Sequence, residues 1–278
     1  MKNEPITRDL LAEQRGGLWD YVSPSRLALW LKCPLAFKFR YVDGVETPMS
    51  PGMFVGRVVH SALENWYRHR QFGIRLEPDD VARRLVESWG SSLACERIAF
   101  ESCAEEETSR KQSVDLVLAY LAQLPADEAP PLAIETAMKA PLVDPGTGED
   151  LGVPLVGVID LVLDEPDGGV IADFKTTSRG GEPLETAHEI QLSSYSYLYR
   201  HTSPRPESAL EIRNLIKTKT PKIETYRYGA RNDHHYRRLF AVVRAYLDDL
   251  DRGRFVFRPG LGCSMCDFRD TLCPSWDG

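Results

Sequence analysis

The sequence predicts an α/β fold, one compact unit in which a β-sheet is flanked by helices and accompanied by a charged helical insertion. Three observations carry this expectation. Runs rich in β-branched residues, broken by Asp, Pro and Gly turn chemistry, dominate from about residue 131 to 228. Apolar residues at helical spacing precede and follow them. The 278 residues suffice for one large domain or two small ones, and no internal repeat or low-complexity linker divides them.

The elements follow in order. After a polar leader, "SPSRLALWL" opens a helix with Ser23 as N-cap and Pro24 at its first position, and Leu27, Trp30 and Leu31 form its apolar stripe. Cys33 stands between this helix and Pro34, read as its terminator. "FVGRVVHSALENWYRHR" predicts a second helix with Gly56, His60, Leu63 and Tyr67 on one face. Residues 78–124 read as helical and strongly charged, with "EEETSRK" exposed and "PADEAPP" closing the stretch. Strands are expected over "LAIETAMKAPLV", over a hairpin from 157 to 177, and over "ALEIRNLIK" and "IETYRY". "TAHEIQLSSYSYLYR" reads as a helix with a Thr186/Glu189 capping box. A last long helix covers "NDHHYRRLFAVVRAYLDDL", where His234 and His235 face solvent, and leads into "RFVFRPG" and a cysteine-rich tail.

Composition is that of an ordinary soluble globular protein. No run approaches the roughly 18 apolar residues of a membrane span, and the opening residues lack the apolar core of a signal peptide, so a cytoplasmic protein with no membrane partner is expected. The net charge of −7 argues against a generic nucleic-acid coat but leaves room for a local basic groove.

Three of the six cysteines form "CSMCDFRDTLC", a CxxC with a third cysteine seven residues on. In a cytosolic chain this clustering reads as metal binding rather than disulfides. Three thiolates are one short of the usual four for zinc or an iron–sulfur cluster, and Cys33 is the best candidate for the fourth place. Free structural thiols are the plain alternative. Cys95 and Cys103 read as small buried hydrophobes in a helical stretch.

The hairpin poses a charge problem. In "GVIDLVLDEPDGGVIADFKTT", pairing Leu163 with Val170 puts Asp160 opposite Asp173. Lys175 then shares a face with Asp173, while Ala172 and Phe174 occupy the other. Directly opposed carboxylates repel one another. A divalent cation with oxygen ligands relieves the repulsion, as magnesium does between carboxylates and phosphate; solvated charges on a half-exposed hairpin are the alternative.

An Asp on one strand and Asp-x-Lys on the next, here Asp160, Asp173 and Lys175, is the active-site pattern of the PD-(D/E)xK nuclease fold. His60 in "GRVVHSALE" resembles the metal-binding histidine ahead of the core in RecB-like nucleases. "QLSSY", Gln191 to Tyr195, resembles the QxxxY motif after it. "SPSRLALWLKCPLAFKFRY" and "CSMCDFRDTLC" look like the segments bearing one and three cysteines of a 4Fe–4S cluster. Together these pieces, spanning residues 23–273, resemble the RecB-like nucleases with such a cluster: the CRISPR-associated nuclease of that type, its phage relatives and the AddB nuclease domain. The six residues between Cys266 and Cys273 are one more than that family's commoner spacing.

The resemblance implies a PD-(D/E)xK restriction-endonuclease-like core, a central mixed β-sheet flanked by helices, with a helical insertion and a C-terminal iron–sulfur cluster region. One nuclease domain would span 1–278: helices with the first cluster cysteine and His60 (22–60), the insertion (61–131), the catalytic sheet (132–257) and the cluster tail (258–278). It implies Mg²⁺ or Mn²⁺ on His60, Asp160, Asp173 and the Phe174 carbonyl, Glu135 as an additional acidic residue, and Cys33, Cys263, Cys266 and Cys273 on a structural cluster. Lys175 would orient water or stabilise the phosphate; Gln191 would position Lys175 or DNA; Tyr195 would contact the backbone or stack on a base. Tyr41, Trp66 and Tyr67 are further candidates for base stacking, with core packing the competing use. The implied activity is single-stranded DNA exonuclease action from a 5′ end, in recombination and repair, phage DNA processing or CRISPR adaptation, with protein partners in such complexes. The competing readings are a catalytically silent DNA-binding or scaffolding subunit, and zinc in place of the cluster.

Overall fold

The computed structural model describes residues 17–276, apart from 97, 99 and 182–184; most of the polar leader lies outside the described residues. Seven α-helices are described: α1 (Pro24–Lys32), α2 (Pro34–Phe37), α3 (Pro51–Gln71), α4 (Pro78–Ala94), α5 (Cys103–Gln123), α6 (Glu185–Thr202) and α7 (Asp233–Asp251). Five strands, β1 (Pro131–Val143), β2 (Asp150–Glu165), β3 (Gly168–Thr177), β4 (Glu207–Ile216) and β5 (Lys222–Gly229), form one sheet in the order 1-2-3-4-5. The β3–β4 pair is parallel and the other three are antiparallel, which makes the sheet mixed.

Local sequence explains the boundaries. The Ser23 hydroxyl accepts from the Arg26 N–H at 3.3 Å and Pro24 starts α1, because proline at the first helical position gives up only an N–H that has no intrahelical partner. Pro34 ends nothing for long: Cys33 is extended, and Pro34 serves as the first residue of α2, which runs on into a π-helical turn at Lys38–Val42. Helix α6 already includes Glu185, so Thr186 lies inside it rather than at its cap, and the buried Glu189 is paired with Arg238 at 3.0 Å. At α7 the capping box is built from Asn232 and His235, so His235 is engaged in the cap while His234 is exposed.

Each face of the sheet carries its own core. Helices α1, α6 and α7 cover one face, burying Leu27, Trp30, Leu198, Phe240 and Tyr246 against Leu155, Ile159 and Ile171. Helices α3, α4 and α5 cover the other, with Phe54, Leu63, Leu85 and Leu116 against Leu161, Val170 and Phe174. The charged stretch forms a packed layer with α3, which runs unbroken through residues 60 and 61. Cys95 and Cys103 sit at the facing ends of α4 and α5, where both are exposed rather than buried. Among the described residues no helix is long and apolar enough to cross a membrane.

A buried ionic network ties the second layer to the sheet. Arg213 on β4 donates to the hydroxyls of Tyr67 (2.9 Å) and Tyr120 (2.6 Å), to Glu128 (2.6 Å) and to Glu211 (2.9 Å). Arg70 closes the far side of Glu128. Burial raises both phenols, Tyr120 to about 12, so each stays protonated and serves as a hydrogen-bond partner only.

Candidate active site and cysteine pocket

The site forms where β2 and β3 part. The two strands pair in the expected register, Leu163 opposite Val170, and the ladder runs from Glu165↔Gly168 to Leu161↔Ala172. The next positions are Asp160 and Asp173. There the ladder stops, and the Phe174 N–H donates to Asp160 Oδ2 at 2.9 Å. Ala172 and Phe174 enter the core beneath α3, as alternation requires.

The β1–β2 hairpin twists at the same level. On β1, Ile134 packs on the α3 side, whereas Met138, Ala140 and Leu142, which share its parity, pack on the α6 side. On β2, Leu161 and Leu163 differ in the same way from Val153, Leu155 and Ile159. The changeover falls at Glu135 and Asp160, between the pairs Ile134↔Leu161 and Thr136↔Ile159. Glu135 has φ +41°, the one positive value among the described non-glycine residues. Such a conformation costs about 1–3 kcal/mol and clusters at functional sites. Its result is that a carboxylate from each strand turns toward α3.

Helix α3 supplies the third donor. His60 Nδ1 lies 3.7 Å from Asp160 Oδ2 and 4.0 Å from Glu135 Oε1. One ligand atom from each of the three lies within 4.8 Å of the others, alone among the described residues in meeting that spacing. Burial holds the His60 pKa below its ordinary value, outweighing the opposing pull of Asp173 and Glu135, so the neutral imidazole that ligates metals prevails at neutral pH. Its ring meets Phe174 edge-on at 5.7 Å.

On the other side, Asp173, Lys175, Gln191 and Tyr195 form a second constellation. Gln191 accepts from Lys175 Nζ at 3.0 Å and donates to Asp173 Oδ1 at 2.8 Å and to the Tyr195 hydroxyl at 2.9 Å. Lys175 Nζ lies 2.7 Å from Asp173 Oδ2, yet that buried oxygen receives no aligned hydrogen bond. Its charge is balanced by this ion pair. Tyr195 is 7% exposed, and burial, with Asp173 and Asp160 beside it, pushes its phenol well above the usual range. The expectation that Tyr195 stacks on a base therefore fails: its ring is in the core and only its hydroxyl serves the site. Tyr67 is fully buried and Tyr41 packs against Phe37 in the opposite layer, so neither is a stacking platform. Trp66 is half-buried, edge-on to Tyr67.

His188, outside the QxxxY motif, lies one turn before Gln191 on α6. Its pKa is lowered by burial and then by Lys175. The spacing His188, Gln191, Tyr195 along one helical face is the sequence signal for it.

An imidazole and carboxylates at this separation fit a divalent ion: oxygen ligands suit Mg²⁺ and the imidazole extends the range to Mn²⁺. Asp173, expected as a ligand, is not among the residues that meet this spacing, and its two oxygens face Lys175 and Gln191. The strain at Glu135 gives a test of what the site costs. Glu135→Gly is expected to raise stability by about 1 kcal/mol while weakening Mn²⁺ binding, read by urea unfolding and calorimetric titration. A drop in stability would remove the strain argument.

The two ends of the described chain meet at a second site. Cys33, Cys263, Cys266 and Cys273 line one cavity of about 900 Å³. Leu35, Ala36 and Phe39 pack there against Phe268, with Leu272 and Trp276 adjoining. Arg40 pairs with Asp267 at 2.8 Å, and Arg258 bonds the Leu31 carbonyl. Burial raises the Cys273 thiol, and Cys266, Cys33 and Cys263 raise it further. Four cysteines in one pocket, whose thiolates would repel one another without a cation, fit a metal centre.

The profile of the PD-(D/E)XK nuclease superfamily matches residues 21–274. No match is found among curated proteins. Among solved structures, the crystal structure of a candidate exonuclease from Eubacterium rectale aligns with a TM-score of 0.56 at 13% identity, covering 97% of this chain and 95% of that one. SSO0001 aligns with a TM-score of 0.37 at 15% identity, over 69% and 81% of the two chains.

Proposed function

This chain belongs to the PD-(D/E)XK nuclease superfamily, and we propose from that premise that it is a metal-dependent deoxyribonuclease acting as a 5′→3′ exonuclease on single-stranded DNA. One observation supports the metal-dependent nuclease reading, while strandedness and polarity follow from the family resemblance alone: Lys175 is held between Asp173 and Gln191 beside a His60–Glu135–Asp160 cluster, so cation, carboxylates and imidazole converge at one strand fork.

The residues divide the work. His60, Glu135 and Asp160 would hold the ion, with Asp173, paired to Lys175, as the further candidate ligand. A divalent ion there supplies Lewis acidity and a more acidic water. Lys175 presents a fixed ammonium to the phosphate as negative charge builds on its oxygens, the preorganised role in which a donor is worth most. Gln191 fixes Lys175 in place, and Tyr195 in turn fixes Gln191. The expected result with end-labelled DNA is stepwise shortening that requires Mg²⁺ or Mn²⁺, stops on chelation and resumes on re-addition. DNA bound but left intact under every metal tried would favour a silent DNA-binding subunit instead.

The four cysteines are read as ligands of a structural 4Fe–4S cluster. All four line one cavity, which supports that reading, and zinc held by four thiolates is the alternative. Anaerobically purified protein is expected to show a broad visible absorption that bleaches on reduction. A colourless, zinc-loaded protein would overturn the cluster. The cytoplasm, and a place in recombination, phage DNA processing or CRISPR adaptation, belong to the same reading.

A further inference from the structure

One basic segment lies outside both sites. The turn joining β4 to β5, with the first residue of β5, reads "KTKTPK", residues 217–222, three lysines in six positions of a chain with net charge −7. Its place is fixed by the parallel pairing of β3 with β4. Thr177 pairs with Ile216, and the Lys217 N–H donates to the Thr177 carbonyl at 2.7 Å. The turn therefore borders the end of the strand that carries Asp173 and Lys175.

Lys217 is half-buried, and among the described residues its ammonium bonds only the Gly52 carbonyl, at 3.3 Å. No carboxylate pairs with it among the described residues. Burial lowers its pKa with no acidic neighbour to oppose the shift, in contrast with Lys175, which has Asp173, and Arg213, which has Glu128 and Glu211. Of its companions, Lys219 is exposed, and Lys222 is exposed with Glu224 as its acidic neighbour.

Helix α3 connects this cation to the metal ligands. Gly52, Gly56 and His60 stand four residues apart on one face. A side chain at 52 would meet Lys217 Nζ at 3.3 Å, and one at 56 would meet the Thr176 hydroxyl at 2.7 Å. The glycines thus let Lys217 and Thr176 come close to the helix, in line with His60. The eight residues from 52 to 60 span about 12 Å of helix, a distance that a strand of a few nucleotides bridges.

We propose that the β4–β5 turn grips the phosphodiester backbone of the nucleic-acid strand beside the scissile bond, with Lys217 as the inner phosphate contact and Lys219 and Lys222 as outer ones. This rests on the nuclease reading above, since it assigns the same site its polyanionic substrate. An unpaired cation in a partly desolvated place gains from a phosphate what its neighbours do not give it.

Fluorescence anisotropy with a labelled single-stranded oligonucleotide in Ca²⁺, across a salt series, tests the contact apart from cleavage. Losing one phosphate contact to a single strand reduces the slope of log K against log salt by about 0.7. Lys217→Ala and Lys217→Gln are each expected to show that reduction for every base sequence, and Lys217→Arg to restore it. The triple change at 217, 219 and 222 is expected to reduce it further. In cleavage, the Lys217 loss is expected to fall mainly on KM. Well-folded Lys217 variants with the wild-type slope would overturn the proposal even if the enzyme cuts DNA. Lost slope in a protein that cuts nothing would uphold the contact and defeat the nuclease reading.

Discussion

Lys175→Ala is expected to lower single-turnover cleavage by about 10²–10³-fold, the loss seen when one preorganised donor to a developing anion is removed. The ammonium lies 2.7 Å from Asp173 Oδ2 and 3.0 Å from Gln191 Oε1, so it is fixed before any substrate arrives. Lys175→Arg should recover little. The planar guanidinium is longer and distributes its charge over a fork, and this slot is built for a compact cation. Removal also strands a carboxylate that is 1% exposed, so a measurable loss of stability should accompany the loss of rate. Denaturant unfolding separates the two, and adding Asp173→Asn to Lys175→Ala should restore stability without restoring cleavage. Equal cutting by wild type and a folded Lys175→Ala protein would sink the assignment.

The largest effect on stability is expected at Arg213. Its guanidinium is 8% exposed and reaches two carboxylates and two phenols. Taking one partner from a buried ionic group costs about 3–5 kcal/mol, and Arg213→Ala should fall near the lower end because Arg70 and Arg227 remain beside Glu128 and Glu211. Lys at this position keeps the charge but cannot serve both carboxylates, so an intermediate loss is expected. Chemical unfolding followed by circular dichroism reads both. A reduction in cleavage should accompany the change. Arg213 pairs across the sheet with Phe174, and Tyr67, which it bonds, sits two turns from His60 on α3. A variant of unchanged stability would show that the network is incidental.

Much of this is legible in the sequence alone. The hairpin register followed from turn chemistry and alternation, because both act within a few residues of chain. Gln191 and Tyr195 stood one turn apart in the sequence, and a helix makes that spacing a shared face. Glu135 was harder. A glutamate in "LAIETA" looks like any solvated strand charge, and its turn toward His60 depends on a backbone conformation that residue identity disfavours. The Tyr67–Tyr120–Glu128–Arg213 group was invisible for another reason: its members come from three distant segments and carry no periodic signature. For the same reason the layer built by α4 and α5 resembled an excursion. Its surface charge is evident locally, whereas its buried stripe gains meaning only against the sheet. Cys95 and Cys103 resemble core residues by type, and only the helix ends at which they sit expose them.

The meeting of α2 with the cysteine tail has a consequence for biosynthesis. Cys33 leaves the ribosome long before Cys263, Cys266 and Cys273, and the apolar patch of Leu35 and Phe39 must wait for Phe268. Domains generally fold as units during or after synthesis, so the sheet can assemble while this early segment is still unpartnered. Closure of the cysteine pocket would then be a late event, waiting on the segment from Cys263 to Cys273.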